Sequence, residues 1–568
     1  MQNEKDKPPS YYKIRIIAIF FVLSLCLTII VTYRLQNGLP DYQPGDIAGS
    51  NIKSPYETPI PSLGITIKKG EIIVREGERV NSDHLAKLHA IKEKGSKDTF
   101  AARSFISIFL LIFSISLIFY EFSARNIKKF QLTEKDIIFC SSLILFTTLF
   151  IKILFLISHH ISNSNAVSIM YLAPVFLFGI IMRIVLFSEA AIIFSLLIAI
   201  VTGIMFDMSM TAFLYVLTGN IVASYFSGKC EDRNTIIKAG IFTAFIVSLL
   251  AIIFDLMAGR SLIDLPLKIL FILINGVASS FIALGLLPII EYAFDYTTDI
   301  KLLELANLDN PLLRDMMVNA PGTYHHSIIV GNLSKAAAEG IGAHPLLARV
   351  SSYYHDIGKL KMPHYFIENR KGFEDAHKNL TPNMSSLIIL SHVKEGVELA
   401  DKYKLGKKIK DIIKEHHGTT LVSYFFNRAK EQEDPGLYVI DEKDFRYAGP
   451  KPQTKEAGIV MLADVVEASS RILDDPTPKR IEKHVQDVIE RIFLDGQLDE
   501  CELTLKDLHA IQKSFINILL GIFHQRIEYP ERAGHNGSDK RLTKTAEDKQ
   551  KTDQKTDRRV TNIFRATG

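Results

Sequence analysis

The 568 residues are 48% hydrophobic and 23% charged, and the mean hydropathy is +0.16. That is too apolar for a soluble multidomain enzyme and too charged for an all-membrane bundle, so the chain is expected to divide into a membrane part and a soluble part. A net charge of only +4 excludes the global field that draws polymeric nucleic acid, so any phosphate-binding surface has to be local.

Lys5, Lys7, Lys13 and Arg15 precede an apolar run from Ile16 to about Tyr33 with no small-residue cleavage site after it, which predicts a cytoplasmic N-terminus and retained signal anchor over 1–33. Residues 34–103 form a short external module: Pro-rich irregular sequence, then GEIIVREGERV as a strand pair and SDHLAKLHAIKEKG as a helix. It reads equally as a spacer with a solvated face or as a ligand sensor. A seven-span membrane domain follows over 104–292. Its apolar stretches fall near 104–120, 137–157, 167–187, 189–206, 209–226, 239–256 and 269–290, each long enough to cross a hydrocarbon core of ~30 Å.

Arg125, Lys128, Lys129 and Lys135 follow the second span and Lys229, Arg233 and Lys238 the sixth, whereas Ser158–Ala166 has no basic residue. Basic loops stay in the cytoplasm, so both termini are expected there, in a bacterial inner membrane. Lys152, Arg183, Asp207 and Asp255 lie among the apolar runs and need internal partners or an interfacial position; snorkelling near a span end is the ordinary explanation for Lys152 and Arg183. Cys26, Cys140, Cys230 and Cys501 match no disulfide framework or zinc knuckle.

From 293 to 529 the pattern changes to amphipathic helical periods such as NLSKAAAEGIG, LLARVSSYYHDIG and EAGIVMLADVVEASSRIL, broken by Gly and Pro. The fold class expected is therefore all-α: one anchor, a polytopic helical bundle and a helical cytoplasmic domain. Residues 530–568 are polar with few large apolar side chains and read as a disordered basic tail.

Chemistry concentrates in the helical domain. His325 and His326, then His355 and Asp356, His392, His416 and His417, and Asp464 make an inventory of imidazoles and carboxylates suited to two Mn or Fe ions rather than to structural zinc. Asp464 is the most telling, because GIVMLADVVEA would otherwise place an apolar side chain there, and a buried carboxylate without a partner is costly. An isolated histidine on a half-buried helix is ordinarily structural, so His344, His364, His377, His484, His509 and His524 are read that way. His416 and His417 have an alternative role as a helix cap beside Gly418.

In the order H, HD, H, HH, D, these residues are similar to the seven-transmembrane HD-domain cyclic di-AMP phosphodiesterases, bacterial membrane hydrolases. The likeness runs through the membrane block and through PGTYHHS (321–327), YYHDIGK (353–359), FIEN (366–369), LSHVKEGVE (390–398), EHHGTT (415–420) and GPKPQTKEA (449–457). It implies a dinuclear HD phosphodiesterase over 293–529, with His326, His355, Asp356 and Asp464 on one metal and Asp356 bridging to a second held by His392, His416 and His417. It implies cleavage of cyclic di-AMP to linear pApA by a hydroxide shared between the metals. The segment over 34–103 is much shorter than the family's usual ectodomain, so the resemblance carries no external ligand across. Lys359 is placed to stabilise developing charge, and Tyr424, Phe425, Arg428, Lys451 and Lys455 are candidates for substrate binding. The expected partners are a cyclic dinucleotide and the lipid bilayer, with a homodimer as an open arrangement. The competing readings are a transmembrane receptor that binds a nucleotide without cleaving it and a transporter with an accessory domain, although the spans lack obvious paired broken helices.

Overall fold

The computed structural model describes residues 10–33, 42–48, 51–54, 57–60, 64–75, 77–95, 98–161, 170–206, 208–228, 230, 232–257, 259, 262–370, 375–433, 439–473 and 476–523. Asp207, Lys229, His524 and the expected tail at 530–568 lie outside them. Two units are distinguished, Met1–Ile516 and Asn517–Gly568; of the second, the closing turns of the last helix are described.

α1 (Ser10–Thr32) is the anchor. The following module differs from the expected strand pair. β1 (Ile52–Lys53) pairs antiparallel with β4 (Ile72–Val74), and β2 (Thr58–Ile60) with β3 (Ile65–Ile67), so GEIIV finds its partner upstream in the stretch read as irregular. Pairing there is driven by burial: Ile52, Ile60, Ile67, Ile73 and Val74 join Leu88 and Ile91 of α2 (Ser82–Gly95) in one small core.

The membrane block comprises α3 (Asp98–Asn126), α4 (Glu134–Ile161), α5 (Phe176–Val185), α6 (Ser188–Met205), α7 (Met210–Phe226), α8 (Arg233–Met257) and α9 (Leu265–Phe294). Among the described residues, α1, α3, α4, α6, α8 and α9 are long and apolar enough to cross a bilayer, whereas Met170–Val185 and Met210–Phe226 are shorter apolar helices at the positions of the other two expected spans. The 17 residues of α7 rise about 25 Å.

Before α5 the backbone is broken, with a 3-10 turn at Met170–Leu172. The Tyr171 carbonyl released by that break accepts from Tyr215 Oη at 3.1 Å and Asn275 Nδ2 at 3.2 Å, which satisfies it inside the bundle. A Cβ on Gly240 would lie 2.2 Å from the Gly276 carbonyl, so these two glycines let α8 and α9 touch backbone to backbone.

Lys152 corrects the snorkelling expectation. It is 3% exposed and its Nζ donates to the Val31 carbonyl at 3.2 Å, one of the carbonyls that the end of α1 leaves without an intrahelical partner. Asp255 and Lys268 form a buried ion pair at 2.7 Å that ties α8 to α9. Arg183 is half-buried at the end of α5 and donates to the Gly228 carbonyl at 3.1 Å.

The helical domain contains α10 (Asp299–Leu305), α11 (Pro311–Asn319), α12 (Pro321–Ile341), α13 (Pro345–Tyr354), α14 (Pro382–Lys402), α15 (Lys407–Glu415), α16 (Ser423–Glu431), α17 (Lys455–Ser470), α18 (Pro478–Leu494) and α19 (Leu505–Phe523). Start signals are explicit. Thr381 Oγ1 accepts from Met384 N ahead of Pro382, Thr454 Oγ1 accepts from Ala457 N, and the His344 ring accepts from Leu347 N ahead of Pro345. Leu302, Leu313, Val350, Tyr353, Tyr354, Ile413 and Val460 fill a shared core, which brings α10, α11, α13, α15 and α17 together.

Candidate metal centre

Five segments deliver side chains to one buried spot. His326 lies in α12; His355 and Asp356 follow the end of α13; His392 lies in α14; His416 and His417 follow α15; Asp464 lies in α17. All are buried except His417, which is partly exposed.

The chain permits this meeting because Gly358 has no side chain. A Cβ there would lie 1.8 Å from the His392 carbonyl and 2.6 Å from the Gly396 amide, so only glycine lets the turn after His355 and Asp356 press against α14. That contact places the Asp356 carboxylate between two histidine sets.

Asp356 Oδ2 lies 3.3 Å from His355 Nε2 and 3.7 Å from His326 Nε2, while Oδ1 lies 3.3 Å from His392 Nε2 and 3.7 Å from His416 Nε2. Asp464 Oδ1 sits 2.9 Å from His326 Nε2 and 3.7 Å from His355 Nε2, and its Oδ2 is 3.8 Å from His417 Nδ1. Two four-residue clusters result, His326, His355, Asp356 and Asp464, and Asp356, His392, His416 and His417. Within each, the ligand atoms lie within 4.8 Å of one another. Asp356 is the residue they share.

The imidazoles are oriented from behind. Nδ1 of His355 donates to Ser352 O at 2.7 Å, that of His392 to Ile389 O at 2.6 Å and that of His416 to Ile413 O at 2.7 Å. A carbonyl only accepts, so each Nδ1 carries the proton and each Nε2 turns inward. His326 is held by Glu467, whose Oε2 is 2.5 Å from Nδ1, and Glu467 is braced in turn by Arg471 at 2.6 Å.

His355 Nε2 and both Asp356 oxygens are buried without a hydrogen-bond partner, although Lys359 Nζ stands 2.6 Å from Oδ2 as an ion pair. Burial pulls the His355 pKa down, but the Asp356 and Asp464 carboxylates outweigh it and lift it to about 10. Burial would raise Asp356 itself, yet Lys359 and His355 hold it well below the carboxylate range. Burial, with neighbouring His416, keeps His392 down near 4 and His417 well below its ordinary value, so both stay neutral with lone pairs available. Carboxylates that demand positive charge, imidazoles with Nε2 turned inward, two of them held neutral, and an Asp356 Oδ1 without a hydrogen-bond partner fit divalent cations.

Other expected site residues fall elsewhere. His325 belongs to neither cluster. Lys359 is enclosed between Asp356 and Glu368, whose Oε1 is 2.9 Å away. Phe425 is buried against His377 at 4.9 Å, a packing role, and Tyr424 beside it is 67% exposed. Arg428 lies in the last turn of α16. Lys451 donates to the Gly496 carbonyl at 2.7 Å and Lys455 pairs with Asp507 at 2.9 Å, so both are engaged by the loop before α19 and by its first turn.

Sequence reading missed Glu467, Arg471 and Tyr447, whose ring stacks on His417 at 4.2 Å. Glu467 carried a signal, being one helical turn beyond Asp464 on the same face; Tyr447 sits in a loop and carried none. Glu467→Ala should weaken metal affinity by about 10- to 100-fold by freeing the His326 ring, as read in a metal titration with unchanged helical signal.

Fold and site together define a polytopic membrane protein with a helical HD metal domain. Residues 102–298 match the family described as 7TM receptor with intracellular HD hydrolase, and residues 323–469 match the HD domain. The chain is 38% identical over 475 residues to the cyclic-di-AMP phosphodiesterase PgpH of Bacillus subtilis, covering 82% of this chain and 65% of that protein. To PgpH of Listeria monocytogenes it is 33% identical over 474 residues, covering 82% and 64%. The crystal structure of the L. monocytogenes PgpH HD domain with cyclic-di-AMP aligns at 46% identity over 39% of this chain and 100% of that one, with a TM-score of 0.36. The chain thus carries the two domains of the seven-transmembrane receptors with an intracellular HD hydrolase, and it spans just under two thirds of the length of these curated relatives.

Proposed function

We propose that the chain is a membrane-anchored phosphodiesterase that hydrolyses cyclic di-AMP to pApA at a centre of two divalent metals, Mn or Fe. The HD domain lies on the cytoplasmic side of a bacterial inner membrane. The single observation that carries the reading is the double-faced Asp356, with His326 and His355 on one oxygen and His392 and His416 on the other. His326, His355 and Asp464 would complete the first cation's shell, and His392, His416 and His417 the second's. A pair of bound cations supplies Lewis-acid polarisation of the phosphodiester and a water of lowered pKa.

The remaining work falls to the chain. The backbone bonds at Nδ1 of His355, His392 and His416 fix the ring orientation that turns Nε2 inward. Lys359 balances the charge of Asp356 and lines the mouth beside Arg471 and Ile367, where a phosphate oxygen would enter. Adenine specificity is supported by the likeness to the two PgpH proteins, since a metal centre reads phosphate and not base.

The test is hydrolysis by the full chain in nanodiscs, with Mn or Fe, of cyclic di-AMP and cyclic di-GMP in parallel. Conversion of cyclic di-AMP to pApA is expected. Binding without conversion would make the chain a receptor, and preference for cyclic di-GMP would overturn the substrate. Purified protein should carry about two transition-metal equivalents by elemental analysis, the number a bridging carboxylate serves, and chelation should remove activity that Mn restores.

A further inference from the structure

A cleft of about 670 Å³ opens between α5, α6 and α7, away from the metal centre. Arg183 stands at its rim, with Ser188 at the first position of α6 and Ser224 in the last turns of α7, and Ile192, Ile221 and Phe226 line the rest. The bond to Gly228 O engages one of the five N–H donors of Arg183. Phe187 gives α6 no side-chain cap, so the first-turn amides add the positive end of an 18-residue helix, and Glu189 of that turn does not line the cleft. The rim lies at the end of the bundle that meets the HD domain, because Arg233 at the start of α8 pairs with Glu304 of α10.

A cationic head with hydroxyls, continued by an apolar wall along the spans, has the form of an amphiphile's site. We propose that this cleft binds an anionic glycerophospholipid of the leaflet beside the HD domain, its phosphate at Arg183 and the α6 N-terminus and an acyl chain along Ile192 and Ile221. Inorganic phosphate would leave the apolar wall unused.

Asp299 opens α10, and its Oδ1 is 2.9 Å from Nε2 of His344, which caps α13, the helix that precedes His355. Burial works to raise the Asp299 carboxyl, but His344, Lys408 and Arg183 together hold it below its ordinary value.

The experiment is native mass spectrometry of the delipidated full chain, offered phosphatidylglycerol or phosphatidylcholine of identical acyl chains. Phosphatidylglycerol should be retained at least about fivefold better. Arg183→Gln should lose that preference. Ser188→Asp should lose it too, by placing a carboxylate in the cleft at a position favourable to the helix while Arg183 keeps its bond to Gly228. Both variants should keep wild-type metal content and helical circular dichroism. Equal retention of the two lipids, retention unchanged in both variants, or displacement by millimolar inorganic phosphate would overturn the lipid site, whatever the outcome for phosphodiester hydrolysis.

Discussion

Asp356→Asn should reduce hydrolysis by at least about 10³-fold, or ~4 kcal/mol of transition-state stabilisation, while the helical circular dichroism signal persists. The two carboxylate oxygens face different histidine pairs, at 3.3 and 3.7 Å on each side. An amide offers one acceptor, and its NH₂ would aim a donor at imidazole nitrogens that must themselves donate electron pairs. Volume is conserved and Lys359 keeps Glu368 at 2.9 Å, so the lysine is not left buried and alone, as a stability loss would require. Metal content measured on the same protein should fall together with activity. An Asp356→Asn variant that retained both full metal content and full activity would remove the bridging role.

Gly358→Ala should be nearly as damaging by another route. The added methyl cannot be absorbed by a side chain, since the atoms it meets at 1.8 and 2.6 Å are backbone of α14. The turn carrying His355 and Asp356 must therefore retreat from His392, at a cost of about 3 kcal/mol or more in packing. The expected signature is selective. The cluster of His392, His416 and His417 loses its shared carboxylate, so metal stoichiometry should fall toward half, and the thermal midpoint of the HD domain should drop in parallel. An alanine variant with wild-type stoichiometry would show that the close approach is not what positions Asp356.

Much of the candidate centre was legible in the residues themselves. Asp464 announced itself as a carboxylate in an apolar helical period, and the adjacent His355 and Asp356 beside Gly358 announced a turn that exposes two donors at once. Glu467 was readable too, as the residue one turn further along the face already chosen for Asp464. The candidates for substrate recognition were less so. Lys451 and Lys455 are marked by charge and by nearness in sequence to the metal-ligand candidates, and their partners, Gly496 and Asp507, lie 45 and 52 positions further on. Charge type says that a lysine needs a partner; it does not say which carboxylate the fold will bring.

The membrane part divides in the same way. Length and hydropathy were enough to place a bilayer-spanning helix at six of the eight expected spans among the described residues, because a bilayer imposes a one-dimensional constraint on each helix separately; at the other two the apolar helices are shorter. The sharing of the Tyr171 carbonyl by Tyr215 and Asn275 depends on α7 and α9 meeting the turn at Met170–Leu172, and the burial of Lys152 depends on α4 meeting the end of α1. Local periodicity and residue chemistry thus determined which elements form and which side chains seek cations. Tertiary packing alone decided that Asp356 turns one oxygen to each histidine set and that Glu467 stands behind His326, because such placements arise from contacts between segments distant in sequence, which no local pattern encodes.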